Sequence, residues 1–274
     1  KNLFSDIEII AFDVDDKNII PKSDNINLKL IDKIICDEEG KRDFYIPVRD
    51  SGSSIFPFNE RYNYLHDEKY HPIDKIITVE CTTLDSLINS GKIQPPDIIK
   101  MDIQGAELSA LKGLGEHINN LQLLEIEVEL LQLYKNQPTF PEIHTFLLNS
   151  GFHIQDMHLS KSYLTNGKES NYYLRNILKN AMNDTWTPQV YAGDAIYVKN
   201  LETVLKYDLN EQINHLKCLC AYNCFDRAYM IIDKSKYKQE IQNSNFYRSL
   251  IKMSKKGKMR TMISNLLAKV LRKL

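Results

Sequence analysis

The chain has 274 residues, of which 43% are hydrophobic and 26% are charged, and its formal net charge is −1. This composition is typical of a folded globular protein with one large core, and the balanced charge argues against the chain as a whole binding nucleic acid. No apolar run approaches the roughly 20 residues that cross a bilayer. The five cysteines are odd in number and irregularly spaced, so we expect a reducing, cytoplasmic location.

Two predicted strands near the start of the chain end in acidic residues. The apolar run of residues 7–12 is followed by Asp13, Val14 and Asp15, and a second apolar stretch over residues 26–36 ends at Asp37. Carboxylates directly after buried strands predict a ligand-binding edge of a parallel sheet. The alternative for the first cluster is a loop that caps the following helix.

Loops and short strands follow until residue 90. Residues 43–48 and 73–79 are predicted strands, and the Ser-rich loop at residues 51–54 and the Tyr-rich loop at 59–72 are candidate site linings. A helix with a threonine or serine N-cap is predicted over about residues 82–90.

The central stretch, residues 95–107, combines a buried-strand pattern with charged side chains. Lys100 and Asp102 lie among isoleucines and a methionine, and Glu107 lies in the first turn of a helix predicted over residues 106–119, after a break at Gly105. Charges in a buried strand are costly unless they are paired or functional. We therefore expect chemistry here, with a purely structural ion-pair network of Lys100, Asp102 and Glu107 as the alternative.

Another strand, predicted over residues 121–131, carries Glu125, Glu127 and Glu129 on one face because side chains alternate along a strand. A helix after Pro141, strands at 152–157 and 190–198, and an insertion at 160–187 complete this part of the chain. Alternating strands and helices predict an α/β protein with a doubly wound parallel sheet.

From residue 201 the pattern is helical, and the last segment is basic. After Glu240 there is no acidic residue, and apolar residues with helical spacing alternate with lysines and arginines through residue 274. Residues 248–274 therefore predict a basic amphipathic helix that contacts an anionic membrane at its inner face or a protein partner. The alternative is a helix packed on its own domain with a solvated basic face.

Four blocks of the sequence resemble the FkbM family of S-adenosylmethionine-dependent methyltransferases. Residues 82–87 resemble the family's threonine-threonine-leucine-aspartate helix start, residues 123–126 its strand-borne glutamate, and residues 193–198 its last strand. The central block matches at Asp97, Lys100, Asp102, Gln104, Gly105 and Glu107. The resemblance spans about residues 5–200. It implies a Rossmann-like methyltransferase domain over residues 1–200 and a helical extension over 201–274.

The resemblance also implies a function and its residues. S-adenosylmethionine is the expected cofactor, and the expected acceptor is a hydroxyl of a sugar, glycan or other small metabolite. Asp13, which stands where the family usually has glutamate, is expected to hold the cofactor's ribose beside Val14, and Asp37 its adenine. Asp102 is expected near the sulfonium and is the first candidate for a general base, with Glu125 second. Lys100 is expected to pair with Asp102 or to steer the acceptor. No metal is expected.

One departure from the family is the glycine-rich cofactor loop, which belongs on a strand before the Asp13 strand. The first glycine in this chain is Gly40. We expect the missing strand to lie between the Asp13 and Asp102 strands, and the sequence to be an N-terminally truncated piece of a longer protein.

Two other functions remain as alternatives. A degenerate methyltransferase fold could serve as a non-catalytic scaffold through its helical tail, and Asp13-Val14-Asp15 is similar to the metal-binding sequence of glycosyltransferases. The spacing of His215, Cys218, Cys220 and Cys224 is loosely metal-like, but an apolar helix favours buried thiols instead.

Overall fold

A computed structural model describes residues 7–12, 27–48, 52–65, 72–162 and 189–256. These residues form a mixed α/β structure whose strands lie in three sheets. The strands are β1 (Glu8–Phe12), β2 (Asn27–Ile31), β3 (Ile34–Ile35), β4 (Gly40–Pro47), β5 (Ile73–Thr82), β6 (Ile98–Met101), β7 (Leu123–Glu129), β8 (Phe152–Ser162) and β9 (Gln189–Lys199).

The strand pairing is partly parallel and partly antiparallel. β1 pairs with β2 in parallel, and β6 pairs with β7 in parallel. β9 runs antiparallel to both β7 and β8, so this sheet has the order β6-β7-β9-β8, and β4 is antiparallel to β5 in the sheet β3-β5-β4. The alternation of strands and helices predicted the parallel pairs but not the antiparallel ones. Among the described residues, β1 and β6 each have a strand partner on one side only.

The helices follow local sequence signals closely. They are α1 (Leu84–Asn89), α2 (Glu107–Lys112), α3 (Phe140–Asn149), α4 (Leu201–Lys206), α5 (Leu209–Ala221), α6 (Phe225–Lys234), α7 (Lys238–Asn243) and α8 (Asn245–Lys256). The predicted threonine N-cap of α1 is confirmed, because Thr83 Oγ1 accepts a hydrogen bond of 3.0 Å from Ser86 N. α3 begins with a capping box of Thr139 and Glu142.

The helix predicted over residues 106–119 is shorter than expected. α2 ends at Lys112, with Gly113 as its C-cap, and a 3-10 turn spans Gly115–Asn119. Gly115, the first residue of this turn, has a φ of +53°, a left-handed conformation in which the α-helix cannot continue. At Gly113 a Cβ atom would lie 2.1 Å from the backbone oxygen of Cys36, so only glycine allows the end of α2 to touch the end of β3.

The main core lies between the sheet β6-β7-β9-β8 and helices α1 to α3. Leu111, Leu124 and Ile126 are fully buried there, and Ile10 of β1 and Ile31 of β2 pack against the same cluster. At about 25 cal/mol per Å² of apolar area, each fully buried leucine or isoleucine contributes roughly 2 kcal/mol before entropy costs. β1 and β2 form a separate sheet, but packing joins them to the main core.

Helices α4 to α8 pack on the sheet through a second cluster. Leu216 and Leu219 of α5 and Leu250 of α8 are fully buried, together with Leu123 of β7 and Val198 of β9. His215 and the three cysteines of the metal-like sequence lie buried in this packing, and His215 Nδ1 is 3.1 Å from Gln122 Oε1. The predicted insertion lies mostly outside the described residues, as does the chain beyond residue 256.

Candidate active site

The C-terminal ends of β6 and β7 place a row of charged side chains beside one another. Lys100 and Glu125 are direct neighbours in the parallel register, and Lys100 Nζ lies 2.7 Å from Glu125 Oε1. Burial alone would lower the pKa of Lys100, but the hydrogen bond and the negative charge of Glu125 raise it. Lys100 is therefore a paired cation, and its predicted partner Asp102 contributes a further favourable charge.

Asp102 leads into the second part of the row through Gln104. The amide nitrogen Nε2 of Gln104 donates to Asp102 Oδ1 and to Glu127 Oε2, and both distances are 2.9 Å. Burial and the negative charge of Asp102 raise the pKa of Glu127 to about 9. Glu127 is therefore protonated at neutral pH, which allows a second carboxyl group to lie close to Asp102.

Glu107 and Glu129 extend the acidic row toward α2. Glu107 is fully buried, and its Oε1 accepts a hydrogen bond of 2.9 Å from Ile103 N. Burial raises the pKa of Glu107 to about 7, and burial together with the charge of Glu107 raises the pKa of Glu129. Glu107 Oε2 and Glu129 Oε2 have no hydrogen-bond partner among the described residues. Glu125, Glu127 and Glu129 thus lie on one face of β7, beside Lys100, Gln104 and Glu107, as the alternation of side chains along a strand predicted.

Two loops hold Gln104 in place. Gln104 has a φ of +56°, which is unusual for a residue with a side chain. Tyr134 Oη donates to Gln104 Oε1 at 2.6 Å, and Ser54 Oγ donates to the backbone oxygen of Gln104 at 2.6 Å. At Gly105, with a φ of +95°, a Cβ atom would lie 3.1 Å from the side chain of Gln137. The strained turn after Asp102 is therefore fixed from both sides.

The sequence-predicted cofactor residues fall partly within the described structure. Asp37 follows β3 and is exposed, and its Oδ1 accepts a hydrogen bond of 2.8 Å from Ser109 Oγ on α2. The Asp37 backbone nitrogen donates to the same Ser109 oxygen at 2.9 Å. Asp13 and Val14 lie outside the described residues. The structure thus brings Asp37 to the flank of α2, whereas Lys100, Asp102 and Glu125 lie together on β6, β7 and the turn after β6.

Four residues that form or contact the row were not given a role in the site from the sequence: Glu127, Gln104, Ser54 and Tyr134. Glu127 carried a signal in its alternation with Glu125, and Gln104 in its place within the central block. Ser54 belongs to the loop predicted as a candidate site lining, but its contact with Gln104 and that of Tyr134 were not predicted, because they reach Gln104 from positions 50 and 30 residues away along the chain. Tyr134 is positioned by an edge-to-face contact with Phe58, whose ring centre is 5.9 Å away.

Comparison with known proteins identifies the family of the chain. The model of the methyltransferase FkbM domain matches residues 7–154, which is more than half of the sequence. The chain belongs to this family of methyltransferases. The family supports an enzyme that transfers methyl groups, in line with the resemblance of the four sequence blocks.

Two named methyltransferases are similar in sequence to parts of this FkbM-family chain. It is 25% identical over 114 residues to the 2-O-methyltransferase NoeI of Sinorhizobium fredii, which covers 40% of this chain and 47% of NoeI. It is 29% identical over 52 residues to the hexuronic acid methyltransferase AglP of Haloferax volcanii, which covers 19% of this chain and 22% of AglP. The chain thus spans about half the length of the first relative and about a fifth of the second. No solved structure matches.

Within the described residues, each helix is too short or too polar to cross a lipid bilayer.

Proposed function

We propose that this protein transfers a methyl group from S-adenosylmethionine to a hydroxyl group of a sugar or a similar small metabolite. The proposal rests on one observation: Asp102 directly follows strand β6 and is joined through the Gln104 amide to Glu127, whose pKa is raised by burial, within the site of an FkbM-family chain. Both relatives are named as methyltransferases, one acting at a 2-O position and one on a hexuronic acid. A Rossmann-like sheet with its ligand at the carboxyl ends of the strands is part of this proposal.

The residues present are compatible with the cofactor. When bound, S-adenosylmethionine supplies an electrophilic methyl group on a positively charged sulfur. The carboxylate of Asp102 offers negative charge to such a cation, and Glu107 and Glu129 have buried oxygen atoms without a hydrogen-bond partner among the described residues. The exposed carboxylate of Asp37, fixed by Ser109, is suited to accept a hydrogen bond from the adenine amino group. Asp13 and Val14 are proposed to meet the ribose.

Asp102 is proposed as the general base. Its carboxylate would accept the proton of the acceptor hydroxyl, and the bound cofactor would supply the methyl group. Gln104 donates to Asp102 Oδ1 and so fixes the direction in which the other carboxylate oxygen faces. Lys100 and Glu125 form a neutral pair that holds the wall of the site. Alignment of the acceptor then supplies much of the rate enhancement.

Two measurements on the full-length protein test this proposal. Titration calorimetry should detect binding of S-adenosylmethionine, and a radioactive methyl-transfer assay against a panel of glycosides should yield a methyl ether. Binding without transfer to any glycoside would reject the sugar acceptor while keeping the cofactor. A full-length protein that binds no S-adenosylmethionine at millimolar concentration would favour the scaffold alternative instead.

A further inference from the structure

Helix α8 presents a basic stripe that the proposed catalytic function does not use. Arg248, Lys252 and Lys255 are exposed and follow one another at intervals of four and three residues, which places them on one face of the helix. None of the three forms an ion pair with another residue in the described part of the chain. The opposite face carries Phe246 and Leu250, which are buried in the second core cluster.

The stripe belongs to a strong separation of charge along the sequence. Nine of the 35 basic residues and none of the 36 acidic ones follow Glu240. Residues 241–274 therefore carry a formal charge of +9 and residues 1–240 one of −10. A nearly neutral chain with this asymmetry has one end that attracts anionic surfaces and a body that repels them.

We propose that the basic stripe of α8 docks this protein onto an anionic lipid surface. Because Phe246 and Leu250 are already buried in the protein's own core, the contact through α8 is electrostatic and lies at the level of the lipid headgroups. The sequence beyond α8 favours lipid over nucleic acid as the partner. It combines further lysines and arginines with apolar residues at helical spacing, from Met259 to Leu274. An anionic lipid surface attracts the basic residues and buries the apolar ones.

Sedimentation with large vesicles tests the proposal on the full-length protein. Vesicles of phosphatidylcholine that contain about one third phosphatidylglycerol should bind the protein, and vesicles of pure phosphatidylcholine should not. Added salt should weaken the binding, because a contact between exposed charges is screened within a Debye length of about 10 Å at 0.1 M. Equal binding to both kinds of vesicle would overturn an electrostatic contact.

Charge-matched variants locate the surface. The triple variant Arg248→Gln, Lys252→Gln, Lys255→Gln should lower the partition coefficient about 100-fold, since each basic residue near an anionic surface contributes roughly a fivefold factor. The control Lys41→Gln, Lys92→Gln, Lys206→Gln removes the same charge from exposed positions outside α8 and should change the partition coefficient about threefold or less. If the two variants lost similar affinity for the vesicles, the binding would depend on overall charge, and the basic stripe would be rejected as the docking surface.

Nucleic acid is the competing partner, and the same protein tests it. Duplex DNA at the same ionic strength should bind more weakly than the anionic vesicles and should displace little protein from them. Tighter binding to DNA would overturn the lipid assignment. Because these experiments need neither S-adenosylmethionine nor an acceptor, their outcome is independent of the proposed methyl transfer.

Discussion

The buried polar groups that lie beside the two ends of β7 have opposite surroundings. At the C-terminal end, burial raises the pKa values of Glu127, Glu129 and Glu107, and the charge of Glu107 raises those of Glu127 and Glu129 further. Oxygen atoms of Glu107 and Glu129 have no hydrogen-bond partner among the described residues. At the N-terminal end, the buried Lys199 Nζ donates to Ile118 O at 3.1 Å and to Ser150 O at 3.3 Å. One end concentrates carboxyl groups whose pKa values are raised, and the other surrounds a single cation with hydrogen-bond acceptors.

The difference separates a site from a scaffold. Lys199 also lies 4.0 Å from the centre of the Phe152 ring, and Arg227 Nη2 donates to its backbone oxygen at 2.9 Å. These contacts join β9, β8 and the helical region, so this end of the sheet is cross-linked within the protein. Unpartnered carboxyl oxygens and raised pKa values make the acidic end the candidate site for chemistry. Four substitutions test this contrast.

The largest effect is expected at the acidic end, from Asp102→Asn. The amide cannot accept the hydroxyl proton, so kcat should fall by about 10²- to 10⁴-fold, the usual contribution of a general base. Binding of S-adenosylmethionine, measured by calorimetry, should stay within a few-fold. Asp156→Asn, an exposed position on β8, is the matched control and should keep full activity. Undiminished turnover in Asp102→Asn would remove Asp102 from the mechanism.

Glu127→Gln should stabilise the protein as pH rises. Burial raises the pKa of Glu127 to about 9, so the folded state binds a proton that the unfolded state releases above its ordinary pKa of about 4.5. Wild-type stability is therefore lost progressively between pH 4.5 and 9, whereas glutamine stays neutral. Urea unfolding should show a gain for the variant that grows to several kcal/mol, on the order of 1.4 kcal/mol for each unit of pKa shift. Glu80→Gln, exposed on β5, should follow the wild type.

Lys199→Met tests the other end of β7. Burial lowers the pKa of Lys199 to about 8, so below pH 8 the folded protein must bury a charged ammonium group. Wild-type stability should rise relative to the variant between pH 8 and the ordinary lysine pKa of about 10.5, by about 3 kcal/mol in total. Thermal unfolding at several pH values measures the difference. A pH-independent difference would show that Lys199 is not buried as a titrating group, and Lys206→Met on α4 is the exposed control.

The smallest effect is expected from Gln104→Glu. A carboxyl group at this position adds negative charge between Asp102 and Glu127, so the acidic limb of the kcat/KM profile should move up by about one pH unit. A merely structural role for Gln104 would lower activity without moving the profile. Gln239→Glu, an exposed position on α7, should leave the profile of the wild type unchanged.

The sequence predicted local features of the fold better than its long-range contacts. The threonine cap at Thr83 and the glutamates of β7 depend on neighbours within a few residues, and both were confirmed. The antiparallel direction of β9 depends on how the chain crosses the molecule, which no local pattern encodes. For the same reason Asp102 was identified from its strand, whereas Tyr134 was not. A buried tyrosine resembles any other core residue until its hydroxyl partner is known.

Helix α2 and its C-cap connect two parts of the candidate site. Its Ser109 binds Asp37, its Gly113 touches the backbone of Cys36, and its Glu107 binds the turn that follows Asp102. Asp37 and the turn that follows Asp102 are therefore anchored to the same short helix. A ligand that contacts both carboxylates must fit the spacing that this helix holds. Insertion of one residue into α2 between Glu107 and Ser109 would turn Ser109 by about 100° relative to Glu107. The two anchors would then no longer hold their present spacing.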